Sequence, residues 1–172
     1  SDDLVFHRSA ELAQSAQILG VTSVTELGYP DSGLYGQHNA DGAFAGLDSA
    51  VIATRLTELI EDLRIDTLIG YDSVGGYGHP DHVQVHKVAR EVHALTSINL
   101  FEATLPREPI FRAVKLAGAL SLTPSDFDPE TFSHSWTPNV EITHRVNVRG
   151  YTALTTQSIL AHASQPPADG TI

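Results

Sequence analysis

Between Gly75 and His86 the chain reads GGYGHPDHVQVH, which places His79, Asp81 and His82 within four residues and His86 one helical turn later. Imidazole and carboxylate are ligands that zinc accepts, and both also serve as general acids and bases. His82 and His86 are four apart, so a helix would carry them on one face, as in the zinc-binding HExxH arrangement. The glutamate of that arrangement is absent, because Val83 and Gln84 follow His82. The bland alternative is that these histidines cap a helix or line a solvated face. Three ionisable groups packed around one proline favour a site over that alternative. The glycines at 75, 76 and 78 could suggest a phosphate loop, but no G-K-[ST] follows, so a Walker-type loop is disfavoured.

The flanking residues supply the elements that would hold such a site. Thr67 to Tyr71 reads as a short buried strand bounded by turn residues. Val83, Val88, Val92 and Leu95 are spaced for the inner face of a helix, and Pro80 suits its first turn, where a missing amide donor costs nothing. Upstream, Phe6 to Leu19 is expected as an amphipathic helix with Leu12, Ala13, Ala16 and Leu19 inward, stopped by Gly20. Val21 to Leu27 alternates as a strand and runs into the turn Gly28–Gly33. There Asp31 would by default bond its own backbone. Residues 34–47 read as a mobile loop in which His38 is solvated. Leu47 to Leu63 is the clearest helix, with Asp48 or Ser49 as its cap and Ile52, Leu56, Leu59, Ile60 and Leu63 as its stripe.

Beyond the histidine cluster, Ile98 to Leu105 is expected as a strand and Phe111 to Leu120 as a short helix. Leu122 to Pro138 is irregular, with Trp136 as a packed rim aromatic beside His134. Val140 to Val148 reads as a strand and Tyr151 to Ala163 as a closing helix before Pro166-Pro167. Alternating helices and strands imply right-handed crossovers, hence a Rossmann-like, mainly parallel α/β sheet flanked by helices in one domain spanning residues 1–172. Sites in such sheets lie beyond the carboxyl ends of the strands, which is where Asp31 and the 72–82 loop both fall.

Composition bounds the chemistry. At 172 residues, 41% hydrophobic and 18% charged, the chain can fold around one core. A net charge of −11 disfavours nucleic acid and anionic membranes as partners. No apolar run could span a bilayer, and a cytoplasmic setting is expected. With no cysteine, any metal is held by His, Asp or Glu.

YGHPDHxxxH after a strand ending in Tyr-Asp resembles the second signature of the PIG-L/LmbE family of zinc-dependent de-N-acetylases. That family includes the glucosaminyl-inositol deacetylases of mycothiol biosynthesis. The resemblance extends through Arg8-Ser-Ala-Glu-Leu12, Leu19-Gly-Val21, Leu27-Gly-Tyr-Pro-Asp-Ser-Gly33 and Ala161-His-Ala-Ser-Gln165. It implies a Rossmann-like fold, zinc or another divalent metal, and hydrolysis of the N-acetyl group of a small amino-sugar conjugate. It makes His82 the zinc ligand and His79 the acid or oxyanion donor. Asp81 would orient an imidazole, that of His79 first, and Tyr77 would swing in to polarise the carbonyl. Arg8 and Asp31 would contact the sugar, while His86 is structural or supports a ligand. The family's first signature, an AHPDDE-type segment supplying two zinc ligands and the base, is not among these residues. The resemblance therefore implies a chain that starts inside the family domain, as a fragment, beside a second chain carrying the front, or with that front lost. Two other classes compete: a non-catalytic sugar- or nucleotide-binding module, and a structural metal domain built on His82 and His86.

If Arg8 and Asp31 are sugar contacts, changing either to Ala in the complete enzyme weakens substrate use and leaves zinc in place. Steady-state kinetics beside metal analysis of the purified variants checks this, and loss of metal or unchanged kinetics rejects the assignment.

Overall fold

The computed structural model describes residues 2–33, 42–123 and 128–164. They fall into two compact units, Tyr29–Thr143 and the pairing of Ser1–Gly28 with His144–Ile172.

The larger unit is built on two helices and a small parallel sheet. Helix α2 (Ser49–Leu63) opens at Asp48, whose side chain accepts the Ala50 amide. It closes on Arg64 in the left-handed conformation. Strand β1 (Thr67–Tyr71) follows, then a four-residue turn of helix, α3 (Gly75–Gly78), broken at Gly76. Helix α4 (Pro80–Thr96) begins at the expected proline and ends on Ser97. Strand β2 (Asn99–Ala103) pairs with β1 in parallel, in the register Thr67 with Asn99 through Tyr71 with Ala103. Helix α5 (Arg107–Ala119) completes the run. The α2–β1–α4–β2 succession is the expected α/β alternation, and α2 and α4 pack against each other.

The apolar stripes meet where α2 and α4 face each other. Ile52, Ala53 and Ile60 from one helix and Val88 and Val92 from the other form the buried cluster, flanked by Leu56, Leu68 and Ile98. Gly70 is needed where α4 crosses β1, because a Cβ there would lie 3.0 Å from the Ala89 side chain. The stripe read for α4 is half right. Leu95 is exposed, and the buried positions are Gln84, Val88, Ala89 and Val92. Gln84 is tolerated inside because its amide donates to the Leu47 carbonyl at 2.7 Å.

The smaller unit packs α1 (Asp2–Leu19) against α6 (Thr152–Leu160). Ser15 and Ser158 share a hydroxyl hydrogen bond of 2.6 Å, and Glu11 accepts from both the amide and the hydroxyl of Ser164.

Two expected strands do not form. Val21–Leu27 and Val140–Val148 carry no ladder among the described residues, where the sheet is β1 and β2 alone, with one isolated bridge between Pro106 and Thr137. Alternation marks a segment fit for a strand, but a ladder also needs a partner edge. Here Val24, Val140 and Val146 point outward instead. For the same reason β1, expected as a buried strand, is paired on one side among the described residues and leaves Ile69 exposed. Most of the loop expected at 34–47, His38 included, lies outside the described residues, and Phe44–Gly46 is a short 3-10 turn.

The core assignment makes a contrast within one helix. Ile52→Ala is expected to cost about 2–5 kcal/mol of stability, whereas Val51→Ala, on the exposed side of the same turn, should stay within about 0.5 kcal/mol. Urea unfolding of both variants measures the difference.

Candidate active site

The carboxyl end of β1 delivers the chain into the site through Tyr71 and Asp72. Asp72 is 2% exposed, and a buried carboxylate must find donors. It takes the Gly76 amide at 2.8 Å with one oxygen and the hydroxyls of Thr104 and Thr137 with the other. The glycine turn therefore closes over the strand end. Gly75 has φ 66, and a Cβ there would sit 2.7 Å from the Val83 nitrogen, so α3 can lie directly on the start of α4. The Gly76 carbonyl accepts the Trp136 amide at 2.6 Å, and Arg107 grips the carbonyls of Ser135 and Trp136. Trp136 is the packed aromatic expected, held at φ 56.

His79 is the N-cap of α4. Its Nδ1 accepts the Asp81 amide at 3.2 Å, one of the unpaired donors at a helix start. In the neutral ring the proton then sits on Nε2. His82 is bonded in the opposite sense. Its Nδ1 lies 3.2 Å from the Gly75 carbonyl, which can only accept, so Nδ1 carries the proton and Nε2 offers its lone pair. Burial lowers the His82 pKa and the neighbouring His79 adds to that, while the Gly75 carbonyl, Asp81 and Asp72 pull the other way. The net direction is down, which favours the neutral imidazole.

The rings form one cluster. Tyr71 lies flat on His82, with centroids 4.0 Å apart and planes 4° from parallel, and His79 stacks on it at 4.9 Å. Tyr77 meets both imidazoles edge-on, at 5.3 Å from His82 and 6.1 Å from His79.

Asp81 joins this cluster to the turn before α2. One carboxylate oxygen accepts the Ser32 amide at 3.0 Å, and the other is buried with no hydrogen-bond partner. Its link to His79 runs through its own amide, not through the side-chain hydrogen bond expected. Asp31 bonds the Gly33 amide at 2.6 Å, the local turn role that composition favoured. Its carboxylate also faces the histidine cluster: Asp31, His79 and Asp81 offer potential metal-ligand atoms within 4.8 Å of one another. His82 is not in that group. Among the described residues no other group of three is so placed, and His86 turns away to Glu102 on β2. That approach is 3.0 Å but lacks hydrogen-bond alignment. His86 thus has a partner across the helix–strand contact, and a centre shared by His82 and His86 finds no support. Arg8 is an exposed residue of α1 in the smaller unit, so its contact with a sugar stays a proposal.

Four participants gave little signal in the sequence. Tyr71 and Asp72 stood out only as the end of a strand, and Ser32 only as one residue of a turn. Trp136 falls in a stretch without period. Each acts through a bond or ring contact with another segment, which spacing along the chain does not encode.

A strand, a glycine turn and a helix start thus present two imidazoles and the Asp81 carboxylate beside the Asp31 turn, a donor set that could hold a metal ion. The chain belongs to the family described as PIG-L: GlcNAc-PI de-N-acetylase, whose profile matches residues 2–93. Several relatives bear the name 1D-myo-inositol 2-acetamido-2-deoxy-alpha-D-glucopyranoside deacetylase. That of Acidothermus cellulolyticus is 34% identical over 99% of this chain and 62% of its own length. That of Salinispora arenicola is 33% identical over 97% and 58%, and that of Streptomyces griseus 32% over 98% and 59%. The chain thus spans about three fifths of the length of these relatives.

The lowered pKa of His82 has a measurable sign. Histidine ring NMR of the metal-free chain should show His82 losing its proton below the ordinary histidine range. Stability from the neutral ring is then present above that range and lost as the pH falls toward the folded pKa, because the unfolded chain takes up the proton first. A His82 titration at or above the free-histidine value contradicts the burial argument.

Proposed function

We propose that this chain carries part of the active site of a metal-dependent N-deacetylase acting on an amino-sugar conjugate, such as the N-acetylglucosaminyl-inositol named for its relatives. Both units are read as parts of one deacetylase domain, and the chain's residues act on a small molecule. The observation that carries this reading is the opposite bonding of the two histidines at the start of α4.

His82 fits a metal. Its Nδ1–H is held by a backbone carbonyl, the support that a ligating imidazole ordinarily receives, and its lowered pKa favours the neutral ring with a free lone pair on Nε2. Zinc or another divalent ion bound there supplies a Lewis acid that polarises the amide carbonyl and acidifies a water. His79 fits less well, because its Nδ1 is already taken as an acceptor and its Nε2 bears the proton. A proton at that atom suits donation to the oxyanion that develops on the acetyl carbonyl, or to the departing amine. We therefore keep His82 as the ligand and His79 as the donor, although the tightest group of ligand atoms contains His79 and not His82.

Asp81 holds the Asp31 turn against this helix start through the Ser32 amide, which would place Asp31 to meet sugar hydroxyls beside the reacting amide. Tyr77 is 47% exposed between two glycines of positive φ, a setting that allows its ring to move toward the carbonyl oxygen.

The two histidines separate in an experiment on the complete enzyme. His82→Ala should lower zinc affinity and deacetylation together. His79→Ala should keep zinc while turnover falls by roughly 10²-fold or more. Metal analysis of both variants beside a deacetylation assay reads the difference. Equal zinc loss would make His79 a ligand, and a wild-type chain that binds sugar without releasing acetate would favour the binding-module class.

A further inference from the structure

A single hydrogen bond fixes a point on an imidazole but not its plane. The Nδ1–Gly75 contact leaves the His82 ring able to swing about the Nδ1···O direction, carrying Nε2 through an arc. A second contact is needed to stop it, and of the rings around His82 the nearest and most nearly parallel is Tyr71, stacked at 4.0 Å with 4° between the planes, against 4.9 Å and 29° for His79 and an edge-on approach at 5.3 Å for Tyr77. Offset or parallel aromatic contacts of this kind add a geometric preference beyond the area they bury.

Tyr71 is well made for that task. Its backbone is fixed as the last residue of β1, in register with Ala103 of β2. Gly70 brings α4 close to that strand, and Asp72 anchors the chain immediately afterwards. His82 stands in the first turn of α4, so the two rings are presented by two rigid elements. Tyr71 is 38% exposed, so its ring is not spent on filling the core, and its ordinary reading as a buried strand residue does not account for it.

We propose that Tyr71 is a positioning residue for His82, its ring clamping the imidazole plane so that Nε2 is held in one direction. The proposal rests on the reading of His82 as the metal ligand. Its consequence is that removing the aromatic ring weakens metal binding although no ligand atom has been lost. Partners that orient a ligating histidine are commonly worth roughly 10–100-fold in metal affinity.

The test compares Tyr71→Phe, Tyr71→Leu and His82→Ala in the full chain. Zinc affinity is measured by chelator competition, and the His82 tautomer by ring 15N NMR without metal. Tyr71→Phe keeps the stack and should retain both the Nδ1–H tautomer and the wild-type affinity. Tyr71→Leu should lose affinity by roughly 10–100-fold and show a mixture of His82 tautomers, with circular dichroism unchanged. If Tyr71→Leu retains both wild-type affinity and a single tautomer while His82→Ala loses zinc, Tyr71 does not position the ring and the proposal fails by itself. If His82→Ala binds zinc as tightly as the wild type, the reading of His82 as ligand fails, and the proposal falls with it. Equal loss in Tyr71→Phe and Tyr71→Leu would place the effect in the phenol hydroxyl and overturn the stacking argument.

Discussion

The site depends on one buried carboxylate. Asp72 sits at the end of β1 with almost no contact with solvent, and no Lys or Arg bonds it among the described residues. Burying such a group without donors would cost several kcal/mol, and each unsatisfied bond about 1–3 kcal/mol. Its donors come from three separate places: the Gly76 amide, the Thr104 hydroxyl beyond β2 and the Thr137 hydroxyl. Satisfying one side chain therefore closes the glycine turn and draws in two later segments. The Thr137 amide in turn donates to the Thr104 hydroxyl at 3.1 Å, which ties those segments to each other. The loops around the cluster are held by this demand, since the small sheet alone could not fix them.

The two histidines show how backbone polarity assigns chemistry to side chains of the same type. A helix start exposes amides, so a histidine at the cap becomes an acceptor at Nδ1 and a donor at Nε2. Three residues later the nearest backbone group is a carbonyl of the preceding turn, and the assignment reverses. Neither histidine needs an unusual partner to differ from the other. Asp81 then uses its amide for one histidine and its carboxylate for the Asp31 turn, so one residue links the cap to the turn that precedes α2.

Much of the α/β pattern was legible in the sequence, because α2, β1, α4 and β2 each carry a period or a boundary signal. Pro80 marked the start of α4, and the apolar spacing marked Ile52, Ile60, Val88 and Val92 as core. The meeting of Asp31 with His79 and Asp81 was expected, but for a reason that fails: Val21–Leu27 forms no strand before Asp31 among the described residues, and the bond from the Ser32 amide to Asp81 ties that turn to the start of α4 instead. What failed had physical causes. Val21–Leu27 and Val140–Val148 alternate well, but pairing is a property of two segments, and neither joins a ladder among the described residues. Leu95 fits the helical stripe, yet α4 turns that position outward near its end. The direction of Asp81 was unreadable because an aspartate two residues from a histidine can bond it by side chain or by amide.

The only tryptophan in the sequence is Trp136, and its amide is bonded to the Gly76 carbonyl inside the glycine turn. Its indole nitrogen lies beside Gly76, 3.7 Å from where a Cβ would stand, and its ring stacks on Phe132. The chain therefore carries a built-in optical probe, one residue removed along the turn from Tyr77. Any rearrangement of that turn changes the surroundings of the one indole, whose emission is excited apart from that of the five tyrosines at the red edge of the absorption band. Tryptophan fluorescence of this protein is a local reading of the glycine turn, obtained without attaching a label.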